Sequence, residues 1–250
     1  MKLAKRVPNS NRIEDLLQVY MQPVFDIDKF SIVKAEALVR SRNTIFGKRP
    51  NDATRAFELI RKNGWYYELD NYVLKTVCEF IETNKQRIKK KISVNLCKET
   101  IEIEGVAENL ARTISKYDID KSMIAFEINE KTNFDSEIAI ENMKKLDKLG
   151  IELILDDFGF GDTSLIIIGS YNISTVKLDK IFLKDLNDRR IKVVKEMLNF
   201  LDNLGIKIII EGVEKKEQLD IIRKLGKCNV QGYLLGKPVD METYLEMYTN

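Results

Sequence analysis

Three stretches of the chain repeat one design: "LDKLGIELILDD" (146–157), "LDNLGIKIIIEG" (201–212) and "IRKLGKCNVQGY" (222–233). In each, an apolar-periodic segment ends at Leu and then at Gly150, Gly205 or Gly226. Glycine there predicts the left-handed cap that closes a helix just before a β-type run begins. Helices alternating with strands return the chain for parallel pairing, so the repetition points to βα units in series. Polar residues recur at matching places as well: Asp156 and Glu211 lie six residues after their glycines, and Gln231 lies five after.

Eight β-type runs can be read along the chain, at 19–26, 30–40, 91–96, 123–128, 151–157, 174–179, 206–212 and 229–235. From 91 onward they alternate with helical segments, the clearest at 188–204, where Ile191, Val194, Leu198 and Leu201 share one face. Only "IDK" separates the first two runs, too short for a crossover helix, so that pair is predicted to be an antiparallel hairpin. The 250 residues suit one large α/β barrel, and no Pro/Gly/Ser-rich linker divides them. We expect a single domain over 1–250, with 1–16 as an N-terminal lead-in. The basic run "RIKKK" (87–91) is expected where a helix ends and a strand starts.

Composition excludes several chemistries. The chain contains no histidine, which removes Ser-His-Asp and Cys-His catalysis and His-ligated zinc or haem. Its 41 Lys and Arg against 39 Asp and Glu give +2, no argument for a nucleic-acid polymer as partner. Cys78, Cys97 and Cys228 are scattered and odd in number, so neither a disulfide framework nor a zinc site is indicated, and a cytoplasmic location is expected. No apolar run approaches the roughly 18 residues of a membrane segment.

The strand ends carry Glu36, Asn95, Glu127, Asp156 with Asp157, Lys177, Glu211 and Gln231, at intervals of 32, 29, 21, 34 and 20 residues from Asn95 onward. That bracket surrounds the roughly 30 residues of one βα unit in a barrel, where all C-terminal strand ends ring one mouth. Any one acid alone is more often a helix cap or a surface charge than a ligand; the repeated placement overturns that and favours a shared site. Five carboxylates in one mouth repel unless cations lie among them, and Lys177 alone cannot neutralise five. Acids with an amide, and neither His nor Cys, match Mg²⁺ or Mn²⁺. Two such ions form a clamp for displacement at phosphorus, so phosphodiester hydrolysis leads. A glycosidase using two carboxylates is a third reading, and strand ends nearly free of aromatics speak against it. Glu130 and Glu214, one turn past their strands, fit helix capping and site support equally.

The motifs in series resemble the EAL domain of bacterial cyclic di-GMP phosphodiesterases. They are "MQP" (21–23), "EALVR" (36–40), "ISVNL" (92–96), "FEINE" (126–130), "DDFGFGDTSL" (156–165), "VKLDKIFL" (176–183), "IIEGVEKKEQL" (209–219) and "VQGYLLGKPV" (230–239). The resemblance implies an α/β fold, a modified TIM-type β/α barrel with an antiparallel first strand, that hydrolyses cyclic di-GMP to linear pGpG with two divalent cations, Mg²⁺ or Mn²⁺. By the same resemblance, Glu36, Asn95, Glu127 and Asp156 hold the first ion. Asp156 bridges to the second, which Asp157 and Glu211 complete. Lys177 orients the attacking water with Gln231 beside it, and Gln22, Leu38 and Arg40 contact the dinucleotide. Glu36, Lys177 and Glu211 then carry the catalysis. Glu130 supports the loop after the paired aspartates, and a homodimer is implied. Asn129, Cys97, Phe160 and Asp162 depart from the family pattern around the site. The alternative is a receptor that binds cyclic di-GMP without turnover and signals through a protein partner.

Overall fold

The first two β-type runs form strands β1 (Leu17–Asp26) and β2 (Ile32–Ser41), antiparallel, with Gln22 opposite Glu36. The computed structural model describes residues 13–42, 54–129, 136–159 and 164–249. Within them follow β3 (Lys91–Leu96), β4 (Ile124–Asn129), β5 (Glu152–Phe158), β6 (Thr175–Leu178), β7 (Lys207–Ile210), β8 (Asn229–Val230) and β9 (Val239–Asp240). The helices are α1 (Ile13–Leu16), α2 (Thr54–Asn63), α3 (Tyr66–Thr83), α4 (Lys98–Ile101), α5 (Val106–Ile114), α6 (Glu137–Lys148), α7 (Ser164–Ser170), α8 (Asp188–Asn203), α9 (Lys216–Ile222) and α10 (Met241–Tyr248).

Hydrogen bonding runs in the order β2-β3-β4-β5-β6-β7-β8-β1 and closes by the β1–β2 pairing. From β2 to β8 every step is parallel, whereas β1 is antiparallel to both neighbours, and β9 pairs with β1 outside the ring. This is a modified TIM-type β/α barrel with an antiparallel first strand. Its parallel strands carry apolar residues that helices cover, such as Ile92 and Val94 of β3 and Ile208 and Ile210 of β7, all buried. On α8, Val194, Leu198 and Leu201 are buried and Ile191 is half-buried, a stripe that turns one helical face toward β7. Each such side chain contributes about 1.5–3 kcal/mol by leaving water.

Three local expectations need correction. Gly150 and Gly205 adopt the left-handed cap, with φ of 77° and 73°, but Gly226 has φ of 158°, nearly extended, so the third joint passes to its strand without that cap. The last run, which the sequence predicts to be extended over 229–235, leaves the sheet after Val230. Gly232 lies so close to Val213 that an added Cβ would stand 2.1 Å from the Val213 carbonyl oxygen. There the chain turns, with Leu235 and Gly236 amides donating to the Gly232 carbonyl. Finally, Glu36 is not at a strand end: β2 runs on to Ser41, paired beyond Ala37 with β1 only, so the hairpin projects above the barrel mouth.

Candidate active site

Side chains two apart along a strand share a face. Ser93 and Asn95 of β3, Glu127 and Asn129 of β4, and Ile154 and Asp156 of β5 are such pairs, and the register sets Asn95 level with Glu127. They meet Lys177 of β6, Glu211 just past β7 and Gln231 just past β8 at the mouth formed by the C-terminal strand ends. A cavity of about 1180 Å³ opens there, lined among others by Glu36, Asn95, Asp156, Lys177, Glu211 and Gln231. Backbone bonds fix the last two: the Glu211 amide donates to Leu178, and the Val213 amide donates to Gln231.

Lys177 is the centre of the cluster, with 1% of its surface exposed. Its ammonium lies 2.7 Å from Glu127 Oε2, 2.7 Å from Glu211 Oε1, 3.2 Å from Glu36 Oε2 and 3.3 Å from Asp156 Oδ1. Asn95 Nδ2 donates to Glu36 Oε1 at 2.9 Å, and Gln231 Nε2 donates to Glu36 Oε2 at 2.8 Å. The Ser93 hydroxyl donates to Glu127 Oε1. Burial pushes Glu36 up, but the Lys177 charge and the bonds from Asn95 and Gln231 outweigh it, and its pKa falls below the ordinary value. Burial raises Glu127, Asp156 and Glu211, and neighbouring carboxylates add to each shift. For Lys177, burial pulls downward, yet the surrounding carboxylates win and hold it well above the usual lysine value. One ammonium against four carboxylates leaves an excess of negative charge.

Asp157 reaches the same mouth by a backbone irregularity. Between Leu155 and Phe158, β5 advances three residues while β6 advances two, so β5 carries one extra residue. Asp157 takes φ of 58°, a left-handed conformation that costs a non-glycine residue about 1–2 kcal/mol. The bulge places consecutive aspartates, which would otherwise alternate faces, in one cluster. Carboxylate oxygens of Asp156, Asp157 and Glu211 lie within 4.8 Å of one another. Gln231 Oε1 is buried with no hydrogen-bond donor among the described residues, and Asp156 Oδ1, also buried, has only the Lys177 ammonium at 3.3 Å. An unpartnered acceptor and an under-satisfied carboxylate beside an all-oxygen donor set fit hard divalent cations.

The family profile of the EAL domain matches residues 9–238. The chain belongs to the EAL domain family. It is 26% identical over 247 residues to cyclic di-GMP phosphodiesterase NbdA of Pseudomonas aeruginosa, covering 94% of this chain and 31% of NbdA. To cyclic di-GMP phosphodiesterase RocR of the same species it is 26% identical over 236 residues, covering 92% of this chain and 59% of RocR. The chain thus spans from about a third to three-fifths of these relatives. The crystal structure of an EAL domain protein from Listeria monocytogenes EGD-e matches with a TM-score of 0.82 at 26% identity, covering 94% of this chain and 93% of that one.

In this EAL domain the projecting hairpin carries Leu38 and Arg40 on the cavity wall. Arg40 donates to the Val39 carbonyl at 2.8 Å, with its guanidinium 6.0 Å from the Tyr20 ring centre. Gln22 is buried on β1 and donates to the Gly236 carbonyl at 3.0 Å. Glu214 is exposed at the rim, its amide donating to Gln218. Glu130, Phe160 and Asp162 lie outside the described residues. Asn129 donates its amide to Asp157, bracing the strained residue.

Two site residues escaped the sequence reading. Ser93 is hidden in "ISVNL", where a small polar residue looks like filler. Asp70, on α3, is buried on the cavity wall and accepts the Cys97 amide at 2.8 Å and its thiol at 3.2 Å. Burial raises Asp70 to about 7, against hydrogen bonds that pull it down. Burial and the Asp70 charge also push the Cys97 thiol far above its usual range, which favours the protonated thiol over the thiolate.

Proposed function

We propose that this chain is a phosphodiesterase that hydrolyses cyclic di-GMP to linear pGpG with two Mg²⁺ or Mn²⁺ ions. The observation that carries the reading is the carboxylate cluster around Lys177, with Asp156, Asp157 and Glu211 close enough to share a cation. It is supported by the names of NbdA and RocR, both cyclic di-GMP phosphodiesterases. Glu36, Asn95, Glu127 and Asp156 would hold one ion, and Asp156, Asp157 and Glu211 the other. When bound, the ions supply an acidified water and neutralise charge developing on the phosphate.

The chain's own groups do the rest. Lys177 Nζ, a cation with three donors, orients the attacking water and keeps its proton, since its carboxylate neighbours hold its pKa high. Gln231 Nε2 fixes the Glu36 carboxylate, and its free Oε1 accepts from the water. Arg40, on the projecting hairpin, turns from the Val39 carbonyl to a phosphate oxygen, a charge-assisted donor for an anion arriving over the rim. Leu38 and Gln22 line the dinucleotide's path, and Glu130 and Glu214 support the loops. We further propose one EAL-type domain over 1–250, acting in the cytoplasm as a homodimer.

Purified protein with Mg²⁺ or Mn²⁺ should convert cyclic di-GMP to pGpG, followed by chromatography. Glu36→Ala should lower kcat/KM by at least about a thousandfold, roughly 4 kcal/mol of transition-state stabilisation. Unimpaired turnover by that variant would sink the metal assignment. Tight binding with no turnover under saturating metal would assign the receptor role instead.

A further inference from the structure

The inward columns that carry acids at the upper mouth carry a different chemistry at the other end of the barrel. Two or four residues earlier on the same strands stand Lys34 below Glu36, Glu152 below Asp156, Lys207 below Glu211 and Asn229 below Gln231. Lys91 lies below Ser93 in the same way, and β2 pairs with β3 so that Lys34 stands level with it. These residues line a second cavity of about 400 Å³ at the N-terminal strand ends, which shares no lining residue with the first.

Three lysines and one carboxylate line this cavity, and two of the lysines share the carboxylate. Lys34 donates to Glu152 Oε1 at 3.0 Å, and Lys91 donates to Glu152 Oε2. The Ser174 and Thr175 hydroxyls also donate to Oε1, at 2.8 and 2.9 Å, so the carboxylate has little acceptor capacity left. The Lys34 side chain is only 10% exposed, yet Glu152 is its sole hydrogen-bond acceptor among the described residues, leaving two N–H donors without one. Lys207 pairs with no described carboxylate. Asp120 feels the Lys91 charge, but it is exposed and engaged in capping the turn at Ser122.

A structural plug would balance its charges and fill its space; the side chains lining this cavity carry three ammonium groups against the one carboxylate of Glu152, with Glu127 acting on Lys34 only from within the barrel, and the space between them is open. We propose that the N-terminal mouth of the barrel binds a dianionic phosphate group, free or carried on a small phosphomonoester, between Lys34, Lys91 and Lys207. Two excess charges match a dianion, whose several oxygens accept from donors arriving on different sides. The cavity exceeds the volume of inorganic phosphate, so an ester substituent has room.

The test is thermal unfolding of the full chain with EDTA present, so that no metal draws phosphate to the upper mouth. Inorganic phosphate and glycerol 3-phosphate are compared with chloride at equal ionic strength, and binding is followed in parallel by calorimetric titration. At tenfold excess over Kd, phosphate should raise Tm by about 3 °C. Lys207→Ala, at an exposed position, should fold normally and weaken binding by about tenfold, and Lys34→Met should do the same or more. A larger effect of glycerol 3-phosphate assigns an esterified ligand, and an equal or smaller one assigns free phosphate. A phosphate shift no larger than that of chloride overturns the proposal, as does one that both Lys207→Ala and Lys91→Ala leave intact.

Discussion

Asp70 and Lys177 are both buried ionisable groups, and they differ in what surrounds them. Lys177 has four carboxylates within 3.3 Å, so its charge is compensated. Asp70 accepts from the Cys97 amide and thiol but meets no cation among the described residues, and its pKa rises to about 7. A carboxyl whose ordinary pKa is about 3.9 then binds its proton more tightly folded than unfolded. Linkage gives the sign: stability is greatest below the ordinary value, falls as pH rises toward 7, and stays low above it. Asp70→Asn removes this slope. Its Tm measured against wild type should improve from pH 5 to about pH 7 and then level off, and a constant difference from pH 5 to pH 8 would contradict the raised pKa. Asn95, Glu127, Asp156, Lys177, Glu211 and Gln231 were legible in the sequence because each follows an apolar run once per βα unit, whereas Glu36, on the hairpin, was legible through the "EALVR" motif. Asp70 was not, because it lies within an ordinary amphipathic helix, and its role depends on where α3 settles against the exit of β3. The Lys34–Glu152 pair was equally hidden, since a charge at the start of a strand looks solvated until the barrel closes around it.

Among the elements, those with a strong period were read well and those ended by backbone contact were not. The predicted helix 188–204 is α8 (Asp188–Asn203), because its apolar spacing and the Asn187 cap, which accepts the Arg190 amide at 3.0 Å, both mark its course. Leu198 is 2% exposed on the face toward β7, so Leu198→Ala should cost about 2–5 kcal/mol. Urea unfolding checks this, with the midpoint falling and the slope unchanged. The run "NVQGYLL" misled because its apolar residues suggest a strand, while the event that ends it is the approach of Gly232 to the Val213 backbone. That contact joins chain segments far apart in sequence and leaves no local mark except a glycine. The bulge at Asp157 is similar: two adjacent acids announced a special place, but only the β5–β6 register explains how both reach one mouth.

At the scale of the molecule, the parallel arc from β2 to β7 is built of successive neighbours, whereas the seam joins the two ends of the barrel. β1 pairs with β8 at Phe25 and Val230, and Glu36 and Gln231 meet across 195 residues of chain. Closing a loop of that length costs about 5 kcal/mol in chain entropy. Refolding followed by pulsed hydrogen exchange should therefore protect amides of β3, β4 and β5 before those of β1 and β8; simultaneous protection of both sets would contradict this order. The seam also contributes Gln231 and the hairpin that bears Glu36 and Arg40, so the upper mouth and the ring are completed by the same event. As the ribosome extends the chain, Glu36 emerges early and waits for Gln231. The cluster around Lys177 acquires its last member only when nearly all of the barrel has been synthesised, which keeps a half-made chain from presenting a finished site.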